Sequence, residues 1–201
     1  LPRDLSGDEL TAYWGAVEIP YRPYYAYEET HATFGDETGL LKGIAGAAQI
    51  WRSLEACGLP DILGVWNHEA GPATRFTVIQ IKQRYPGHAR NVLHVASNCQ
   101  GGAYAGKWTV VVDEDIDAGD LDQVLWAMCT RFDPLTDIDT VQKAWASKRD
   151  PLYLPGNFNN RILIDACIPY DKYLKGTFPP VVDVSTGLRQ KMKAKFPELF
   201  Q

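Results

Sequence analysis

The stretch WTVVVDEDID, Trp108 to Asp117, decides the fold. Its first five residues are aromatic or β-branched and show no alternation of apolar with polar, the mark of a strand covered on both faces. The acidic run that follows breaks the strand. Asp120 then stands where a side-chain oxygen caps a helix carrying Leu121, Val124, Leu125 and Met128. A doubly covered strand followed by a capped helix is a unit of α/β architecture.

Upstream, Leu40, Ile44, Ala47, Trp51 and Leu54 recur every three or four residues, which predicts an amphipathic helix closed by a left-handed Gly58. Ile62 to Trp66 and RFTVIQIK (75–82) read as strands, the second bounded by Gly71-Pro72 and Tyr85-Pro86-Gly87. A helix follows from His88 to about Asn98, with Val92, Val95, Ala96 and Cys99 inward. Downstream come a short strand, Ile162 to Ile164, and a basic helix from about Ser185 to Phe196. Strands alternating with helices predict a three-layer α/β sandwich around a mixed, largely parallel sheet, ending in a C-terminal helix. Residues 1–36 differ. They hold Tyr13, Trp14, Tyr21, Tyr24, Tyr25, Tyr27 and Phe34, interrupted by Pro20 and Pro23, and follow neither period. Rings of this size seek a surface to cover, so the segment reads as an arm or linker, folded on its own domain or on a partner. The domain proper spans 37–201.

The 201 residues are 45% apolar and 22% charged, the composition of an ordinary soluble domain able to bury a core without a metal or disulfide. A formal charge of −5 argues against a non-specific partner among nucleic acids or anionic membranes. No apolar run suffices for a membrane span, and no secretory leader is evident. Cys57, Cys99, Cys129 and Cys167 lie at least thirty residues apart and form no CxxC pair, which excludes a zinc knuckle or redox dithiol. Three sit in apolar contexts that predict buried, reduced thiols in a cytoplasmic protein.

Few constellations carry chemistry by themselves. The carboxylates of 113–117 end a central strand, where open α/β sheets bind ligands, and offer oxygens to a divalent cation. Helix capping and the helix dipole explain Asp117 and Asp120 equally well. The glycine-rich stretch 101–106 precedes a strand, whereas a phosphate cradle follows one and opens a helix. It reads as a tight connection that pushes Tyr104 outward. His68 ends a strand, as either a hydrogen-bonded structural residue or a ligand-contacting one. No GxSxG elbow supports a serine hydrolase.

Read together, KQRYPGHA (82–89), WTVVVDEDID (108–117), DQVLWAMCTRFDP (122–134), NRILIDAC (160–167) and FPPVVDV (178–184) resemble the carboxyl-terminal region of the UbiD family of decarboxylases, in the family's order and spacing. The resemblance covers most of Leu40 to Phe200. It implies an α/β domain that follows a flavin-binding domain and ends in a helix that helps build a homo-oligomer. It also implies a reversible, non-oxidative decarboxylation of an aromatic or α,β-unsaturated acid. The electron sink is then prenylated FMN, with Mn2+ and K+ in the complete enzyme and none bound by this chain alone. The family's catalytic arginine and glutamates, and its metal ligands, lie in the preceding flavin-binding half. No segment here matches them, so no catalytic or metal-binding residue carries over and the chain alone is expected to be inactive.

What the resemblance does carry over is part of a substrate pocket. Tyr104 falls where the family has a pocket-lining aromatic, and Lys107 falls just before the central strand. His68 lies in WNHEAG (66–71), which resembles segments that contribute a substrate-contacting histidine. Lys42, Arg75 and Trp145 are weaker candidates. A histidine and a lysine beside an aromatic wall suit a phenolic or heteroaromatic acid. Lys107 has an equally good reading as a solvated strand-end lysine. The competing readings are a non-catalytic assembly or regulatory subunit of a multi-subunit carboxylase, and a free-standing nucleotide binder, which the misplaced glycine loop disfavours.

Overall fold

Trp108–Asp113 forms the central strand of a five-stranded sheet, and its last five residues are buried. The structure, a computed structural model, describes residues 26–27, 30–31, 37–71, 74–104, 106–146, 158–182 and 186–197. In chain order the elements are β1 (Ala26–Tyr27), β2 (Thr30–His31), α1 (Glu37–Ala56), β3 (Ile62–Asn67), β4 (Phe76–Ile81), α2 (His88–Asn98), α3 (Gln100–Ala103), β5 (Trp108–Asp113), α4 (Leu121–Thr130), β6 (Ile138–Trp145), β7 (Phe158–Asp165), α5 (Tyr170–Lys175) and α6 (Thr186–Lys195). Apart from the two-residue pair β1–β2, most of the expected aromatic arm, from Tyr13 to Phe34, lies outside the described residues.

The sheet order is β3-β4-β5-β7-β6. The three inner strands β4, β5 and β7 run parallel, while β3 and β6 pair antiparallel at the two edges. The sheet is therefore mixed and largely parallel, as the unbroken apolar run at β5 predicts. Side-chain alternation sends Ile79, Ile81, Val111 and Leu163 to one face, where they pack with Ile50 and Leu54 of α1 and Val92, Leu93 and Ala96 of α2. Val78, Val110, Val112 and Ile164 point to the other face, against Val124 and Ala127 of α4. Two cores on opposite faces make three layers. Each fully buried valine or leucine contributes about 1.5–3 kcal/mol of hydrophobic stabilisation, so the doubly buried inner strands anchor the domain.

Local signals act as the sequence suggests. Gly58 takes φ +75° just after α1, and the Asp120 side chain accepts from the backbone N–H groups of Asp122 and Gln123. Four expectations need correction. Leu125 is exposed, because α4 turns only its Val124–Ala127 side to the sheet. Cys57 and Cys129 are exposed and only Cys167 is buried, since apolar neighbours in sequence do not fix which way a helix residue points. The short strand 162–164 extends to 158–165. Its partner β6 is absent from the sequence reading, because its edge position leaves it half solvated and a bulge at Val141/Ala144 breaks its alternation.

The chain divides into two compact units, Leu1–Tyr170 and Asp171–Gln201. In the second, α6 is basic, and its described residues Gly187–Lys195 are all exposed. No helix among the described residues is long and apolar enough to cross a membrane.

Candidate functional site

The two ends of the sheet are chemically different. At the carboxyl end of β5, Asp113 is buried and fully engaged. Gln83 Nε2 donates to its Oδ1 at 2.7 Å, while the Ile168 N–H and Arg131 Nη1 donate to its Oδ2 at 2.6 and 3.1 Å. Arg131 also forks onto Asp115 at 2.8 and 2.6 Å, which holds that carboxyl below its ordinary range. Asp117 accepts from the Gly119 N–H and Asp120 caps α4. The acidic run is thus a structural network that joins β5, α4 and the segment after β7. Among the described residues, no group of three or more His, Cys, Asp and Glu is placed to hold a metal ion. The carboxylates of this run are occupied by Arg131 and by turns. These residues do not fit manganese.

Nor does the glycine stretch fit a flavin phosphate. A Cβ on Gly101 would lie 3.0 Å from the Gly46 carbonyl oxygen, and one on Gly102 only 1.9 Å from that of Ala96. These glycines exist so that α3 can press against α1 and α2, which leaves their backbone no room to wrap an anion.

All six sequence candidates lie towards the amino end of the parallel strands, spread from the β3 edge of the sheet to the β6 edge. The Arg75 carbonyl accepts from the N–H groups of both Lys107 (3.1 Å) and Trp108 (2.8 Å), so the first residues before β4 and β5 are tied together. The Lys107 carbonyl in turn accepts from Ile162 in β7 at 2.9 Å. Tyr104, at the end of α3, sets its ring 6.4 Å from that of Trp145 at the end of β6. Both rings are open to solvent, at 43% and 53% exposure. The antiparallel β3 ends here too, and the His68 N–H donates to the Phe76 carbonyl at 2.9 Å. Lys42 is an exposed residue of α1, one position before Gly43, whose carbonyl accepts from the Asn67 side chain at 2.9 Å.

His68 itself is buried. Its Nε2 donates to the Ala118 carbonyl at 2.9 Å, and its ring meets Phe76 edge-on at 5.6 Å. Since a carbonyl only accepts, Nε2 carries the proton and Nδ1 is the acceptor nitrogen. Burial lowers its pKa from the ordinary histidine value, so the ring is neutral at pH 7. The residue pins the β5–α4 connection over β3. Trp66, Trp108 and Phe158 add further exposed apolar surface at this end. The rim combines aromatic faces with the cations Lys42, Arg75 and Lys107, a composition suited to an aromatic carboxylate.

One residue of this corner escapes a reading by motif. Arg161, in β7, is buried and donates to the carbonyls of Ser97, Ala103 and Trp145 and to Asn159 Oδ1. Its parity was the available signal: Arg161 shares a strand face with the buried Asn159 and Leu163, so a strand through NRILIDAC turns it inward.

Comparison with known proteins adds the following. The family model of the 3-octaprenyl-4-hydroxybenzoate carboxy-lyase C-terminal domain, UbiD_C, matches residues 40–166. The chain is 28% identical to the UbiD-class enzyme HmfF from Pelotomaculum thermopropionicum, whose structure is a complex with FMN. The TM-score is 0.67, over 77% of this chain and 33% of that one. It is 26% identical to the 3,4-dihydroxybenzoic acid decarboxylase AroY of Klebsiella pneumoniae, with a TM-score of 0.60 over 83% and 35% of the two chains. An Archaeoglobus fulgidus protein described only as uncharacterized is 26% identical over 194 residues, 90% of this chain and 40% of that protein. The chain thus spans two fifths or less of the length of these relatives.

Proposed function

Because the chain belongs to the UbiD family, through the carboxy-lyase C-terminal domain that residues 40–166 form, we propose that it is the substrate-pocket-closing, oligomerising part of a decarboxylase. Its substrate is an aromatic acid, phenolic or heteroaromatic, and the reaction is reversible and non-oxidative. In this reading residues 37–201 are the domain and 1–36 an arm or linker. The electron-accepting prenylated flavin and its metals are held by a flavin-binding half in the same or a separate chain of a cytoplasmic homo-oligomer. That flavin supplies the sink for the electrons left behind when the carbon–carboxylate bond breaks.

The observation that carries the proposal is the placement of Tyr104, Lys107, Trp145, Arg75 and His68, with Lys42 on the adjoining helix, towards the same end of the sheet, where Tyr104 pairs with Trp145 and the Arg75 backbone is tied to Lys107. The roles divide by chemistry. Tyr104 and Trp145 pack on the ring. Lys107 and Arg75 hold negative charge, and Lys42 attracts the acid from solvent. His68 Nδ1 accepts a hydrogen bond from a ring hydroxyl, which favours hydroxylated substrates. Support for the electron sink lying elsewhere comes from the glycine packing and the Arg131 network, which occupy the two stretches a flavin phosphate or a cation would need.

The test is to supply the complete protein with prenylated flavin and assay carbon dioxide release from phenolic, heteroaromatic and acrylic acids. Release from at least one aromatic acid is expected, with exchange of labelled bicarbonate into the substrate. Silence across all three panels sinks the proposal. An isolated 201-residue chain that binds the flavin and turns over an acid sinks the placement of the sink elsewhere.

A second reading, an assembly or regulatory subunit, draws on the outward Leu125 and Trp126 of α4 and on Leu135, 87% exposed, in the loop after α4. Native mass spectrometry of the natural complex separates the two. A partner encoded apart that remains active without this chain favours the subunit.

A further inference from the structure

Among the described residues, Arg161 has no carboxylate hydrogen-bond partner, although it is only 3% exposed. All three of its guanidinium nitrogens are used. Nε donates to Asn159 Oδ1 at 3.1 Å, Nη1 to the Ser97 carbonyl, and Nη2 to the Ala103 carbonyl at 3.3 Å and to the Trp145 carbonyl. Those carbonyls lie in the last turn of α2, at the last residue of α3 and at the last residue of β6. Helix-end carbonyls lack intrahelical partners and carry the negative end of the helix dipole, so a buried cation is stabilised there without an acid.

The three acceptors are also the backbone that sets the candidate corner. The Ala103 carbonyl belongs to the peptide unit that leads into Tyr104, and the Trp145 carbonyl is that residue's own. Asn159, steadied by Arg161 Nε, donates its Nδ2 to the Gly106 carbonyl at 3.0 Å, immediately before Lys107. One guanidinium therefore ties down the main chain on both sides of the Tyr104–Trp145 pair.

We propose that Arg161 is a positioning residue: by bridging the ends of α2, α3 and β6 it sets the relative placement of the Tyr104 and Trp145 rings, and through them the affinity of the acid the rim receives. The first half of this stands on geometry alone, and the second rests on the function proposed above. Lysine cannot substitute, because one nitrogen cannot span acceptors on three elements as a planar fork does.

The test uses the complete protein labelled with 5-fluorotryptophan, the Trp145 resonance being assigned by its loss in Trp145→Phe. Arg161→Lys is expected to move that resonance, and Asn159→Ala to move it less and in the same direction. Arg131→Lys, which loosens a buried arginine at the opposite end of the sheet, is expected to lower thermal stability and leave Trp145 in place. The inference is overturned if Trp145 stays put in both corner variants, or if Arg131→Lys moves it equally. Kinetics on the flavin-loaded enzyme separate the two halves. Arg161→Lys is expected to raise KM roughly tenfold with kcat changed less than about threefold. A moved Trp145 with an unchanged KM keeps the positioning role and removes the corner from the substrate site, so that it is the pocket reading that fails.

Discussion

Asp165 closes β7 with its carboxyl accepting from the Cys167 N–H at 3.1 Å and facing the neighbouring charges of Asp113 and Asp137. Burial pushes its pKa from 3.8 up to about 6, and those like charges push in the same direction. Between these two values the folded protein holds a proton that the unfolded chain has already lost. Stability therefore falls as pH rises from about 4 to about 6 and stays lower above that. Asp165→Asn keeps the acceptor and removes the charge. It is expected to gain on the order of 1–3 kcal/mol at pH 7.5 relative to the parent and almost nothing at pH 3.5. Urea unfolding at both pH values is the check, and parallel pH profiles for parent and variant would refute it. At the same end of the sheet Arg131→Met strands two carboxylates, one of them buried, and is expected to cost about 3–5 kcal/mol, read as an earlier denaturation midpoint. His68→Ala removes both the tie to the Ala118 carbonyl and a buried ring, with an expected loss of about 2–3 kcal/mol. Its loss of turnover on hydroxylated acids should exceed that on acids lacking the hydroxyl, and equal losses on both would leave His68 a purely structural residue.

Among the elements, those that pack on both sides or open with a cap were legible in the residue order, and those defined by an irregularity were not. β5 announced itself through Trp108 to Val112, and α4 through Asp120. β6 did not, because Lys143 sits at φ +51° in the bulge, and the residues around it follow neither the strand period nor the helical one. The same holds for the candidate rim. Tyr104, Lys107 and His68 are candidates through family-like segments, whereas Arg161 needed the strand parity that only a correctly bounded β7 supplies. The bulge can be tested directly. A left-handed backbone is unfavourable for lysine and free for glycine, so Lys143→Gly is expected to hold or raise stability by up to about 1 kcal/mol, and Lys143→Val to lower it. Gly102→Ala, whose methyl group has no space against the Ala96 carbonyl, is expected to displace α3 and lower the melting temperature by well over 5 °C, taking a cost of several kcal/mol. A crystal structure or exchange data showing α3 unmoved would contradict the packing role given to the glycine stretch.

At the scale of the whole molecule, large apolar side chains gather in the open at the amino end of the sheet: Trp66, Trp108, Tyr104, Trp145 and Phe158, each more than a third exposed. Exposed aromatic side chains in such number at one end of a sheet are costly in water and suggest a face that meets something. If the proposed function holds, the remainder of the full-length protein lies over it. Oxidative footprinting should then label Trp66, Trp108 and Trp145 in the isolated chain and label them several-fold less in the complete protein. Equal labelling in the two would mean that the rim faces solvent in both, and the pocket-closing role would fall.

The opposite end has a different consequence. Asp113 fastens β5 to α4 and to the segment after β7 through Gln83, Arg131 and the Ile168 N–H, at the end of the sheet opposite the rim candidates. If the rim is the substrate site proposed above, robustness and ligand preference are lodged in separate places and can be inherited separately. Lineages, or laboratory libraries, can reshuffle the side chains at positions 42, 75, 104, 107 and 145 while the foundation keeps the sheet folded, so new acids can be explored without first surrendering stability.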